Sequence, residues 1–153
     1  VNAMGIPARN TEHGGFVMKA LFIGGTGTIS MAITKKLVGE GHELYLLNRG
    51  KSTAPEGVQL LKGDIKAEEE TAALLDGMEF DVVADFIAFR KDDIERDWRL
   101  FRDKTKQFIF ISSASAYQKP LSRLPITECT PLANPYWQYS RDKIECEETL
   151  MRY

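Results

Sequence analysis

A glycine-rich turn, Gly24-Gly25-Thr26-Gly27-Thr28-Ile29-Ser30, stands between a short apolar run and an amphipathic stretch. This junction restricts the fold more than any other feature of the chain. Lys19–Gly24 (KALFIG) reads as a buried strand ended by glycine. Thr28–Glu40 reads as a helix with Ile29, Ile33 and Leu37 on one face, stopped by Gly39 and Gly41. Glycine suits such a turn because the backbone must bend sharply and leave room for a close neighbour.

The same alternation continues. Strands are expected at Glu43–Leu47, Gly57–Leu61, Asp81–Ala88 and Gln107–Ser112. Between them fall a short helix at Ala67–Asp76, with Leu74 and Leu75 inward, and a charged helix at Lys91–Asp103 carrying Ile94, Trp98 and Phe101. Ser113–Pro135 is mostly loop, and Tyr136–Tyr153 begins a final helix. Strands that are near-continuous apolar runs belong to a parallel sheet covered on both faces. The expected fold class is α/β: a doubly wound parallel sheet, Rossmann-type, in three αβα layers.

With 153 residues the chain has length for one domain with its own core. That domain is placed at residues 18–153; Val1–Val17 reads as a leader or added extension. A formal charge of −2 gives no general attraction to nucleic acid or to an acidic membrane. No apolar run approaches the roughly 20 residues needed to span a bilayer. Cys129 and Cys146 have neither metal-ligand spacing nor a dithiol motif. They read as idle thiols in a reducing cytoplasm, with no metal site.

In its context of strand before and helix after, the glycine turn reads as a dinucleotide site: the helix N-terminus offers unpaired N–H groups to a pyrophosphate. The alternative is a tight turn with no ligand. Ser30 stands where a third glycine is usual, and its small size should preserve close helix–strand packing. Gly24, Gly25, Thr26, Gly27, Thr28 and Ile29 are the expected phosphate-side residues. At the end of the second strand, where a carboxylate would accept from a ribose 2′-hydroxyl, the chain has Asn48 and then Arg49. Arginine binds a 2′-phosphate with a forked, charge-assisted contact. The reading favours NADP over NAD, against the alternative that Arg49 is a solvated loop residue. Asp64 and Ile65 are placed toward the adenine, and Phe86 and Ala88, closing the fourth strand, are assigned to the same cofactor site.

Tyr139 and Lys143 are four residues apart, so both fall on one face of a helix. A phenol is a weak base near neutrality, and a neighbouring ammonium stabilises its phenolate. Tyr139 then exchanges a proton with a substrate hydroxyl, Lys143 also holds the nicotinamide ribose, and Ser113 hydrogen-bonds the reacting oxygen. Taken alone, the spacing also fits an exposed helical pair.

The combination Gly24-x-x-Gly27, Ser112-Ser113-x-x-x-Tyr117, Pro125-Ile126-Thr127-Glu128 and Tyr139-x-x-x-Lys143 resembles the extended and atypical short-chain dehydrogenase/reductases, of the NAD(P)-dependent epimerase/dehydratase family. The resemblance covers Lys19 to Tyr153. It implies a catalytic triad of Ser113, Tyr139 and Lys143 and a small-molecule substrate bearing a hydroxyl or carbonyl, such as a sugar or nucleotide-sugar. It also implies a homodimer through the 91–103 and 136–153 helices, against the alternative that their apolar residues face only the local core. The family's usual helix asparagine is absent, with Asp92 and Asp93 on that helix, and Gln118 follows Tyr117. Family members continue past the Tyr-x-x-x-Lys helix into the last strands and most of the substrate pocket. The resemblance therefore implies a chain truncated before those strands. The alternative function is a non-catalytic NADP-binding redox sensor or regulatory module.

Overall fold

The computed structural model describes residues 16–50 and 54–153. Most of the expected leader lies outside the described residues, as do positions 51–53. The strands are β1 (Lys19–Ile23), β2 (Glu43–Asn48), β3 (Gln59–Lys62), β4 (Phe80–Asp85) and β5 (Thr105–Phe110). The helices are α1 (Thr28–Gly39), α2 (Glu68–Leu74), α3 (Lys91–Phe101) and α4 (Gln138–Leu150), with a short 3₁₀ turn at Ala114–Ala116.

All five strands run parallel in the order β3-β2-β1-β4-β5. Leu21 pairs with Tyr45 on one side and Val83 on the other; Phe22 pairs with Leu46 and Ala84. Alternate residues therefore feed two cores. Leu21, Ile23, Tyr45, Leu47 and Val83 pack with Leu75, Leu100 and Phe101 beneath α2 and α3. Ala20, Phe22, Leu44, Leu46 and Ala84 pack with Leu37 and Val38 of α1. Burial on both faces explains why β1 and β2 contain no charged residue between their ends. Strand order reverses between β1 and β4, which opens a crevice above their carboxyl ends.

Three expectations are corrected. On α1, Ile29 and Ile33 are 66% and 38% exposed, and the fully buried residues are Ser30 and Thr34. The helix starts so close to the sheet that only small side chains fit beneath its first turns; Thr34 Oγ1 donates to the Gly25 carbonyl. The fourth strand stops at Asp85, short of Ala88, because the Asp85 carboxylate takes the amides of Ile87 and Ala88 out of the ladder. The final helix begins at Gln138 rather than Tyr136, since Asn134 Oδ1 accepts from the Tyr136 amide and holds that segment in a turn.

Helices α3 and α4 pack together through Ile94, Cys146 and Leu150, and the Trp98 ring stacks on Tyr153 at 4.6 Å. Ile94, Leu100 and Phe101 are thus buried within the chain itself. Among the described residues, no helix is long and apolar enough to cross a membrane.

Candidate functional site

The glycine turn closes over the crevice with the backbone geometry a close approach requires. Gly24 has φ +80°, and a Cβ there would lie 2.4 Å from Ile87. A Cβ on Gly25 would lie 2.4 Å from Leu46 Cδ2 and 3.0 Å from Phe22 Cβ. Gly27 is open by comparison, its nearest neighbour being Ser30 Oγ at 3.6 Å. Ser30, in the position of the third glycine, is 1% exposed; its hydroxyl accepts from Gly27 N at 2.9 Å and donates to Gly27 O at 3.1 Å. The small residue preserves the packing and also ties the turn to the helix.

Beside the turn runs a groove of about 400 Å³. Gly24, Thr26, Asn48, Arg49, Asp64 and Ile65 line it, as the sequence reading placed them. Gly25, Gly27, Thr28, Ile29, Phe86, Ala88 and Lys143 do not. Gly25 is buried under the turn, and Thr28 and Ile29 are exposed at the start of α1. Phe86 faces the opposite core, its ring edge-on to Phe22 at 5.1 Å. Ala88 is wholly buried with Ile94 and Cys146. The groove also takes Lys66, Ile87, Phe89 and Asp93, which the sequence reading missed. Two of these follow the end of β4, and only the early stop of that strand brings them to the crevice.

The groove fits a dinucleotide on two observations. Asn48 Nδ2 is buried without a hydrogen-bond partner, while Oδ1 of the same side chain accepts from Gly50 N at 2.7 Å. Arg49 is exposed at the groove and forms no ion pair with another described residue. A donor and a cation are left for a ligand rich in oxygen and negative charge.

Tyr139 and Lys143 come together as the spacing predicts. Lys143 is 2% exposed, and its ammonium lies 5.8 Å from the Tyr139 ring centroid. It also sits over the rings of Phe110 and Phe89, at 4.5 and 4.9 Å. Nζ donates to Ala88 O at 2.7 Å and to Ile111 O at 2.8 Å. Burial holds the Lys143 ammonium below the usual lysine range, while Asp85, Asp93 and Glu147 pull the other way. Burial also pushes the neighbouring Cys146 thiol up to about 12, so it is inert.

Tyr139 is flanked by Trp137 at 4.8 Å and Phe89 at 6.3 Å between ring centroids. Its hydroxyl makes no hydrogen bond to the described residues. Ser113 follows β5 as expected, but its hydroxyl is paired with Ser115 Oγ at 2.9 Å. Ser115 Oγ in turn accepts from Ser140 Oγ at 2.9 Å, and Asn134 Nδ2 donates to Ser115 O and Ser140 Oγ. A polar network therefore links Ser113 to the helix residue adjacent to Tyr139. Ser140 lies inside the Tyr-x-x-x-Lys run, and that position was its one signal in the sequence.

Behind Lys143 lies a buried charge cluster. Asp85 and Asp97 are fully buried and Arg96 is 7% exposed. Arg96 donates to Asp97 Oδ1 at 2.7 Å and to Asp93 Oδ1 at 2.8 Å, and its guanidinium is 3.8 Å from Asp85 Oδ2. Burial, then a hydrogen bond to Asp85 and that neighbour's charge, pushes Asp97 up to about 9. A proton on the Asp97 carboxyl would donate to Asp85 and give partners to the two carboxyl oxygens that otherwise lack them.

The NAD dependent epimerase/dehydratase family matches residues 20–153, nearly the whole chain. The chain belongs to this family. Among curated epimerase/dehydratase relatives, a UDP-glucose 4-epimerase of Lactobacillus helveticus is 28% identical over 87% of the chain and 46% of its own length. The chloroplast stem-loop binding protein of 41 kDa b of Arabidopsis thaliana is 33% identical over 66% of the chain and 30% of its own length. The chain thus spans less than half the length of these relatives. The crystal structure of the Bordetella bronchiseptica enzyme WbmG in complex with NAD and UDP superposes with a TM-score of 0.66. Identity is 19%, over 88% of this chain and 49% of that one. That likeness confirms the expected fold, a doubly wound parallel α/β sheet of Rossmann type.

Proposed function

We propose that this chain is the cofactor-binding part of an NADP-linked oxidoreductase acting on a hydroxyl–carbonyl pair. The observation that carries the reading is the placement of Tyr139 beside the buried Lys143 ammonium, at the carboxyl edge of the sheet that also forms the groove. Bound nicotinamide would supply the hydride acceptor or donor. Asn48 and Arg49 would hold the adenosine ribose and its 2′-phosphate, with Asp64 and Ile65 beside the adenine. Lys143, a fixed positive charge, lowers the cost of a phenolate on Tyr139. The Tyr139 hydroxyl, with no partner among the described residues, is then free to take or return the proton of a substrate hydroxyl. Ser113, released from Ser115, would hydrogen-bond the same substrate oxygen.

A sugar or nucleotide-sugar substrate is part of this proposal, supported by the similarity to a UDP-glucose 4-epimerase and to a structure that holds NAD and UDP. Self-association through α3 and α4, and a cytoplasmic location, belong to the same proposal. A titration followed by cofactor fluorescence tests the cofactor reading: NADPH should bind more tightly than NADH, and Arg49→Ala should remove the difference. Equal affinities unaffected by Arg49→Ala refute the 2′-phosphate assignment. In the whole protein, Tyr139→Phe should abolish turnover and spare cofactor binding; unchanged turnover removes Tyr139 from the chemistry.

The second reading, a dinucleotide-binding module without catalysis, is supported by the pairing of Ser113 with Ser115. A substrate-dependent change in NADPH absorbance separates the two.

A further inference from the structure

Four consecutive amides follow β4, and side-chain carboxylates hold all of them. Asp85 Oδ1 accepts from Ile87 N at 2.5 Å and Ala88 N at 2.8 Å. Asp93 Oδ2 accepts from Phe89 N at 2.9 Å and Arg90 N at 3.1 Å. Arg96 forms ion pairs with both carboxylates, at 3.8 Å from Asp85 and 2.8 Å from Asp93. Nε and the same Nη2 that faces Asp85 donate to the buried Asp97, at 3.0 and 2.7 Å. The segment held this way carries Ile87 and Phe89 to the groove, and its Ala88 carbonyl binds Lys143.

We propose that Arg96, acting through Asp85 and Asp93, is a positioning residue that sets the 86–90 loop and thereby the place of Lys143 and the groove wall. The inference deepens the dinucleotide reading above and rests on it for its binding consequence alone. The physical reason is geometric. A free loop backbone has several conformers of similar energy, and its amides bond water in most of them. Two carboxylates can each accept two amides, and a cation paired with both offsets the repulsion between them. A planar guanidinium with its donors in a fixed fork can face three carboxylates at once; a lysine ammonium, a single point on a flexible stem, cannot. Buried clusters of this kind do not by themselves add stability, so precise placement of the loop accounts for this one better than stability does.

The test uses this chain and Arg96→Lys, with Arg99→Ala as a control. Arg99 is on the same helix but points outward to Glu68 at 2.7 Å. Amide hydrogen exchange of Ile87–Arg90 and the titration of Lys143 by side-chain carbon NMR are read without ligand, and NADPH affinity is read separately. Arg96→Lys should speed exchange of the four amides, move the Lys143 titration toward that of a free lysine, and weaken NADPH binding about tenfold. Arg99→Ala should change none of these. Should Arg96→Lys not fold, the pair Asp93→Ala and Asp93→Asn decides. Asparagine keeps an oxygen for Phe89 and Arg90 but loses the charge that Arg96 holds, so exchange at those two amides should speed in Asp93→Asn as in Asp93→Ala; slow exchange retained in Asp93→Asn would show that the cap works without Arg96 and overturn the proposal. Loop exchange and Lys143 titration unchanged from the parent, with only global stability reduced, overturns the proposal. If the parent binds neither NADPH nor NADH, the cofactor reading fails, and the two ligand-free measurements still judge the clamp.

Discussion

Lys143 and Ala88 are 55 residues apart in sequence and 2.7 Å apart in space, ammonium to carbonyl. The lysine that the motif assigns to catalysis is thus also a structural tie, joining α4 to the loop after β4 and, through Ile111, to the end of β5. Its neighbour Tyr139 has no such duty. The two residues of one motif should therefore respond differently to truncation.

Lys143→Met leaves the Ala88 and Ile111 carbonyls without a donor in a buried site. It should lower stability by about 1–3 kcal/mol in urea unfolding. Tyr139→Phe removes a hydroxyl that bonds none of the described residues and should stay within about 0.5 kcal/mol of the parent. Equal losses in both would show that the tie has no net weight.

Asp97 gives the chain a pH dependence of definite sign. Its carboxyl is pushed up to about 9 in the folded protein, against about 4 in an unfolded chain. The folded state therefore binds the extra proton. The contribution is fully present below about pH 4 and is lost as pH rises through about 9. Asp85 on β4 and Arg96 on α3 are the charges that act on it. Thermal unfolding between pH 6 and 10 should show the decline. Asp97→Asn, whose amide can still donate to Asp85, should flatten it; a parent curve flat over that range would place the proton elsewhere.

Glycines of the turn separate fold from binding. Gly25→Ala puts a methyl against Leu46 and Phe22, and should cost about 1–3 kcal/mol of stability. Gly27→Ala meets only Ser30 Oγ at 3.6 Å and should fold nearly as well, while crowding the entry to α1 and weakening NADPH binding. Loss of stability in Gly27→Ala comparable to that in Gly25→Ala would contradict the packing described.

Ile29 and Ile33 lie on the outer side of α1. Ile29→Gln should change stability by no more than about 0.5 kcal/mol. Leu37→Ala, which removes packing from the core beneath α1, should cost more than 1 kcal/mol, at the low end of about 2–5 for fully buried leucines. Chemical denaturation of the two variants side by side checks the order.

Much of the architecture was legible because buried parallel strands must be apolar throughout. KALFI and ELYLLN declare themselves by composition, and glycine declares the turn between β1 and α1. The pairing of Tyr139 with Lys143 was legible for a similar reason: helical periodicity is local, and four residues make one turn. Tertiary structure decided the rest. Which face of α1 is buried depends on how near its first turn lies to the sheet, and that distance selects Ser30 and Thr34 over Ile29 and Ile33. Where β4 ends depends on Asp85 capturing two amides. Whether Ala88 lines a groove or anchors a lysine depends on α4 arriving from 55 residues downstream. A sequence specifies local periodicity and polarity; the partner of a buried carbonyl or carboxylate is fixed only when distant elements close over it, because burial makes that pairing obligatory.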